Sequence, residues 1–241
     1  DKYLKTGKYD VITLTHNETS TGLMNPIDAI AEVIRKYPDV VWLVDTVSSL
    51  GGAKIEVDRL GIDVCISSSQ KALALPPGLS LASVSDKAEE RFKSIGHRGY
   101  YLDFLTLCEF IDKKDHQYTC TPSLSHMFAM DFQLDRIMKE GIENRFIRHI
   151  EMAEYMINWA SHFFKLHVMP GFESMTVTTI ENTRNINVAE LNKELLKENM
   201  VISNGYNELK NKTFRIGHMG DLTIDDLIVL TEAMERILKL N

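Results

Sequence analysis

Three apolar stretches of strand length, each running into a polar loop of small residues, constrain this chain more than any other feature. Val11-Ile12-Thr13-Leu14 leads into residues 16–22, Val40-Val41-Trp42-Leu43-Val44 into residues 45–52, and Val64-Cys65-Ile66 into residues 67–71. Continuous apolar runs of this kind suit strands covered on both faces. Between the first two lies a helical stretch, 27–36, with Ile27, Ile30, Ala31 and Ile34 on one face, Asn25 as its cap and Pro26 at its first position. Strand, helix, strand in this order predicts an α/β sheet with parallel members, and residues 79–84 offer one more strand. In such sheets ligands gather at the carboxyl ends of the strands, where all three polar loops lie.

Beyond Ser85 the pattern turns helical. Helices are expected from Ser85 through Phe92, over 122–139 and, long and amphipathic, over 143–162. A strand at 175–180, a helix at 188–198, a short strand around Phe214 and a closing helix over 224–238, capped by Thr223, complete an α+β region. The Met and aromatic residues of 143–164 recur at helical intervals and read as core. A domain boundary is expected in this long helix, giving units 1–145 and 146–241.

The 241 residues are 44% hydrophobic and 25% charged, with a net charge of -7. No clustered basic face offers itself to nucleic acid, and no apolar run approaches the ~20 residues of a membrane span. Three widely spaced cysteines (Cys65, Cys108 and Cys120) argue against a disulfide framework or a zinc ribbon. The histidines lack metal-ligand spacing, so no metal site is expected. A reducing, cytoplasmic setting is the expectation.

Two residues carry the chemistry. Asp45 ends an apolar strand, where a carboxylate either meets a cation or caps the following turn. Lys71 lies between Ser67-Ser68-Ser69-Gln70 and Ala72-Leu73-Ala74-Leu75. Loss of hydration there would depress an amine's pKa and prepare it for Schiff-base chemistry; the alternative is a surface lysine lying on apolar neighbours. Together, an amine and an acid of this kind are what pyridoxal 5'-phosphate (PLP) requires.

In these stretches the sequence resembles the class V aminotransferases of PLP fold type I, the serine–pyruvate and alanine–glyoxylate aminotransferases above all. The resemblance is carried by Thr15-His16-Asn17-Glu18-Thr19-Ser20-Thr21-Gly22, by Val44-Asp45-Thr46-Val47-Ser48-Ser49-Leu50-Gly51-Gly52, and by Ser69-Gln70-Lys71-Ala72-Leu73 with Pro76-Pro77-Gly78. Thr121-Pro122 and Phe214-Arg215-Ile216-Gly217 match more weakly, and all fall in family order. It implies that residues 1–145 are the later part of a PLP-binding large domain and 146–241 a small C-terminal domain. It also implies that Lys71 is the Schiff-base lysine, that Asp45 partners the pyridinium nitrogen and that Val47 packs on the ring. Thr19 would lie near the 3'-oxygen and Gln70 would bond the phenolic oxygen or the phosphate. Arg215 would clamp the substrate carboxylate. Thr121, with Gln117 and Tyr118 as further candidates, would reach the phosphate of a neighbouring subunit's cofactor in a homodimer with shared sites.

The implied reaction is transamination between a small amino acid, alanine or serine, and a 2-oxo acid such as glyoxylate or pyruvate. Within the same fold the rivals are 2-aminoethylphosphonate–pyruvate transamination and cysteine desulfurase or lyase chemistry; Gln70, where the latter enzymes place histidine, favours transamination. A cofactor-free dimerisation or binding domain is the non-enzymatic alternative. His16 and His97-Arg98 could face substrate, or could serve their own loops. In the family the chain begins well ahead of Asp1, with a glycine-rich phosphate loop and a ring-stacking aromatic, so this sequence is expected to be part of a longer one.

Overall fold

The computed structural model describes residues 1–113 and 117–240. In chain order the elements are β1 (Val11–Thr15), β2 (Asn17–Glu18), β3 (Leu23–Met24), α1 (Ile27–Ile34), β4 (Val41–Asp45), α2 (Val57–Leu60), β5 (Val64–Ser68), β6 (Ser80–Val84) and α3 (Asp86–Lys93). Then come α4 (Phe104–Lys113), α5 (Leu124–Glu140), α6 (Ile142–Phe163), β7 (Lys165–Leu166), β8 (Val177–Glu181), α7 (Val188–Leu196), β9 (Ser203–Asn204), β10 (Thr213–Gly217) and α8 (Ile224–Leu238).

The first sheet has the order β1-β4-β5-β6. β1, β4 and β5 are parallel, with Thr15 beside Asp45 and Asp45 beside Ile66. β6 returns antiparallel to β5, because residues 69–79 form no crossover helix; the turn is closed by Ser69 N–H to Leu79 O (3.1 Å) and Ser69 Oγ to Pro76 O (2.8 Å). Alternation along β4 splits its side chains. Trp42 and Val44 pack with Ile27, Ala31 and Ile34 of α1, while Val41 and Leu43 meet Val64, Val84 and Ala88 of α3. Asp45 continues the second of these faces.

The buried Asp63 carboxylate ties the start of β5 to its neighbours. It accepts the Trp42 N–H (2.8 Å) and the Ser85 hydroxyl (2.9 Å), and pairs with Lys87 Nζ (2.8 Å). Ser85 also caps α3 by accepting the Ala88 N–H, as its position before the helix predicts.

The second sheet, β7-β8-β10-β9, is antiparallel. It has its own core, in which Met156 and Trp159 of α6 meet Leu195, Ile180, Phe214 and Met234. α6 serves both halves of the molecule: Met152, Met156 and Trp159 enter this core, while Arg145 bonds loops of the first sheet and His149 lies against Gly52 there.

The expected elements are present, with informative differences. α1 stops at Ile34, and Asn25 does not cap it, because its amide donates to Thr15 O (2.8 Å) at the end of β1. β8 is buried on both faces instead of alternating; Thr178 bonds His218 (2.9 Å), and Thr179 lies under the turn joining β2 to β3. α4 was not legible in the sequence; Asp103 begins it by accepting from Leu105 N–H and the Thr106 hydroxyl, and Phe104 stacks on Phe92 at 5.9 Å. Among the described residues no helix is long and apolar enough to cross a membrane, and no group of three or more His, Cys, Asp or Glu side chains is placed to hold a metal ion.

Candidate active site

The three polar loops meet at the carboxyl ends of β1, β4 and β5. Asp45 leaves β4 half-buried. Its Oδ1 accepts the Val47 N–H (2.8 Å), so the turn-capping role foreseen for this carboxylate is real. That role occupies one oxygen only; among the described residues Oδ2 receives no hydrogen bond and no ion pair. Lys71, in the turn after β5, is also half-buried, and its amine has no ion-pair partner among the described residues.

The two loops are in contact. A Cβ on Gly51 would lie 3.1 Å from Leu73 Cδ2 and 3.5 Å from Ala72 O, and one on Gly52 only 2.6 Å from Thr176 Cγ2 and 3.2 Å from Ala72 Cβ. The glycine pair after Asp45 therefore lets the backbone close on the residues that follow Lys71. From the other side, Gly220 abuts the Lys71 turn, its would-be Cβ 3.0 Å from Ala74 Cβ and 3.5 Å from Lys71 O. Ala74 itself takes a left-handed conformation, φ 60°, which costs about 1 kcal/mol for a residue with a Cβ.

The first loop folds over the second. β2 and β3 form a small hairpin clasped by the chain ahead of β8, through Met24 N–H to Phe172 O (2.8 Å) and Ser174 N–H to Gly22 O (3.0 Å). Thr19 Oγ1 makes a short hydrogen bond to Ser48 Oγ. Asn17 Nδ2 donates to Ser48 O (3.3 Å) and to Thr176 Oγ1 (3.0 Å), which itself donates to Ser48 O (2.6 Å). His16 is buried with Nδ1 2.9 Å from Ser49 Oγ. Loss of hydration lowers its pKa to about 4, against a small opposing pull from Asp28. It therefore serves the Asp45 loop as a neutral ring.

Arg215 rises from β10 beneath the same hairpin. It is only 7% exposed. Its Nη1 donates to Thr19 O (3.1 Å) and Nε to Asn204 O (3.2 Å), and the guanidinium carbon sits 4.0 Å from the centroid of the Tyr206 ring. No carboxylate pairs with it among the described residues. A buried cation held by carbonyls and an aromatic face, with N–H donors to spare, has the chemistry to take an anion.

Not every expected residue joins this cluster. Gln70 is exposed in the turn before Lys71, and Thr121, with Gln117 and Tyr118, is exposed in the stretch ahead of α5, with no hydrogen bond to the Asp45 or Lys71 loops among the described residues. Arg98 is engaged by Asp103 (2.8 Å) within its own turn. Sequence reasoning missed Ser48, Asn17 and Tyr206, whose contacts are ordinary loop chemistry in one dimension. It also missed Arg145 and His149, although these carry a signal: they extend the stripe of Met152, Met156 and Trp159 at the same alternating spacing, so polar residues occupy a buried face.

The family model for class-V aminotransferases matches residues 2–213. The chain belongs to the class-V aminotransferases. An uncharacterized aminotransferase of Methanocaldococcus jannaschii is 39% identical over 238 residues, 96% of this chain and 61% of that one. The alanine–glyoxylate aminotransferase of Oryctolagus cuniculus is 33% identical over 217 residues, 87% of this chain and 55% of that one. Among solved structures, an alanine–glyoxylate aminotransferase from Nostoc sp. superposes with a TM-score of 0.89 at 30% identity, covering 98% of this chain and 64% of that one. This class-V chain thus spans about 60% of the length of the relatives it matches. Its fold is that of the type I PLP transferases, and the class is PLP-dependent. The donor set fits that group: on abutting loops, a carboxylate oxygen that accepts no hydrogen bond and an amine with no ion-pair partner, and on β10 beneath the hairpin a guanidinium with no carboxylate partner, all among the described residues, where the buried hydroxyl of Ser68 at the end of β5 also lacks a hydrogen-bond partner.

Proposed function

We propose that the protein carrying this chain transfers an amino group from a small amino acid, alanine or serine, to a 2-oxo acid such as glyoxylate or pyruvate. The observation that carries the reading is Arg215, a buried guanidinium without a counter-ion, joined through Thr19 and Ser48 to the loop of Asp45. A substrate carboxylate would complete it. When bound, PLP supplies an aldehyde that accepts the amino nitrogen and a ring that accepts the electron pair of the broken Cα–H bond.

The chain's own residues do the rest. Lys71 Nζ would hold the cofactor through its aldehyde and, when not so engaged, would take the substrate's α-proton and return it. Asp45, through the Oδ2 that accepts no hydrogen bond among the described residues, would hold a proton on the cofactor's ring nitrogen, and Val47 would pack against the ring. Thr19 would lie near the ring's phenolic oxygen, and Gln70, exposed in the turn before Lys71, would bond that oxygen or the phosphate. Arg215 presents a two-pronged donor that both the amino and the oxo acid can use, as an exchange of this kind requires. Thr121 contributes to the phosphate site of a second copy in a homodimer. Residues 1–145 form the PLP-binding unit and 146–241 the small domain that brings Arg215.

The test is made on the complete polypeptide supplied with PLP, L-alanine and glyoxylate, with pyruvate read by a coupled dehydrogenase. Pyruvate and glycine should form in equal amounts, and Lys71→Ala should abolish both. Turnover that survives Lys71→Ala, or no turnover with any small amino donor, would overturn the reading.

A further inference from the structure

One guanidinium joins all three loop systems that surround Lys71. Arg145, in the first turn of α6, is 1% exposed. Its Nε donates to Gly51 O (3.0 Å), and its Nη2 donates to Ala72 O (2.7 Å) and Asp221 Oδ1 (3.4 Å). Its Nη1 donates to Glu140 Oε2 (2.8 Å) and Asp221 Oδ1 (3.3 Å). A guanidinium has five N–H donors in a rigid plane, and here each has an acceptor.

The acceptors are placed tellingly. Gly51 is the first of the glycine pair closing the loop that Asp45 begins, Ala72 follows Lys71, and Asp221 follows the Gly220 that abuts the Lys71 turn. His149, one turn further along α6, extends the same brace. It is fully buried, its Nε2 accepts the Gly220 N–H (3.2 Å), and its Nδ1 therefore donates to Arg145 O (2.8 Å). Burial lowers its pKa to about 4, so it is a neutral ring with a fixed tautomer near neutral pH.

We propose that Arg145 is a positioning residue for the proposed reaction: by pinning the Gly51 and Ala72 carbonyls to one rigid plane, it sets the spacing between the Asp45 carboxylate and the Lys71 amine. This rests on the reading of those two residues given above. An ordinary core brace would use a buried apolar contact here. A buried charge is costly, and only a planar multi-donor group can hold two carbonyls from different loops at a defined separation. Lysine could satisfy one carbonyl and would leave the two loops free to shift. A displacement of about 1 Å at a reacting centre costs on the order of 10²-fold in rate.

The test compares wild type with Arg145→Lys in the complete polypeptide. In the PLP-free protein, hydrogen exchange at the Gly52, Ala53, Ala74 and Leu75 amides, all hydrogen-bonded within these loops, should quicken at least ~10-fold, while the β10 amides change less than ~2-fold. With PLP added, Lys71 should still be the borohydride-reducible residue. The pH midpoint of the visible absorption band should move by more than about half a unit, and kcat for L-alanine with glyoxylate should fall ~10–100-fold against a change in KM below ~3-fold. Uniformly faster exchange with an unmoved pH midpoint would make Arg145 a fold brace and overturn the inference. Wild type that binds no PLP at Lys71 would instead sink the proposed function. Should Arg145→Lys fail to fold, Arg145→Gln, a neutral planar amide that can donate to one of the two carbonyls but not hold both, is used; the same loop-restricted exchange pattern is then expected, and its absence overturns the inference.

Discussion

Arg215→Met separates a binding role from a structural one. In the fold the guanidinium makes hydrogen bonds to two neutral carbonyls, Thr19 O and Asn204 O, and stacks on Tyr206. Each hydrogen bond from a charged donor contributes about 1.5–3 kcal/mol and the stacking about 0.5–2 kcal/mol. Against these stands the cost of burying an uncompensated cation, several kcal/mol after relaxation. The terms nearly cancel, and methionine keeps the stem's packing, so stability should change by no more than about 1 kcal/mol. Carboxylate binding has no such offset. Losing two charge-assisted bonds removes about 3–6 kcal/mol, or ~10²–10⁴-fold in affinity. The assays are urea denaturation of the PLP-free protein and KM for both L-alanine and glyoxylate. A stability loss above about 3 kcal/mol with unchanged KM for both substrates would refute the reasoning and make Arg215 a brace for the β2–β3 hairpin.

Acid should destabilise the protein well before its carboxylates titrate. His16, His149 and His218 have pKa values lowered by burial to about 4, about 4 and about 3. The unfolded chain, with ordinary histidines near 6.5, therefore binds more protons than the fold between pH 6.5 and 4. Stability is complete above that window and falls through it by up to about 1.4 kcal/mol per pH unit for each histidine, measurable as a urea midpoint series; a midpoint flat from pH 7 to 5 would contradict the burial argument. Gly22→Ala should cost about 1–3 kcal/mol, since Gly22 sits at φ +72° and a Cβ would stand 2.9 Å from Thr179 Oγ1; an unchanged melting temperature would show the hairpin clasp to be loose. Asp63→Ala should cost about 3 kcal/mol in urea denaturation, because it strands the Trp42 N–H and the Ser85 hydroxyl and takes the counter-ion from Lys87, which keeps the Pro38 and Val40 carbonyls; a loss under 1 kcal/mol would contradict that account.

Elements set by local patterning were legible in the sequence. β1, β4, β5 and α8 stand where apolar runs and caps put them, and residues after each parallel strand supply the site. What resisted reading depends on contacts far apart in the chain. α4 is started by Asp103 through side-chain bonds that no periodicity records. The reversed direction of β6 follows from a connection that closes on Ser69 instead of crossing over. Arg215 looks like a strand-end surface residue until Thr19 and Tyr206 enclose it, and Arg145 looks like any helix charge until Gly51 and Ala72 come within its reach. The family resemblance supplied Arg215; it did not supply Arg145.

The most direct measurement is to reduce the PLP-treated complete polypeptide with borohydride and map the modified peptide by mass spectrometry. One adduct, on Lys71, is expected, lost in Lys71→Ala and weakened in Asp45→Ala. A reducible adduct confined to another lysine, or none at all, would contradict the assignment of this amine and this acid to one cofactor.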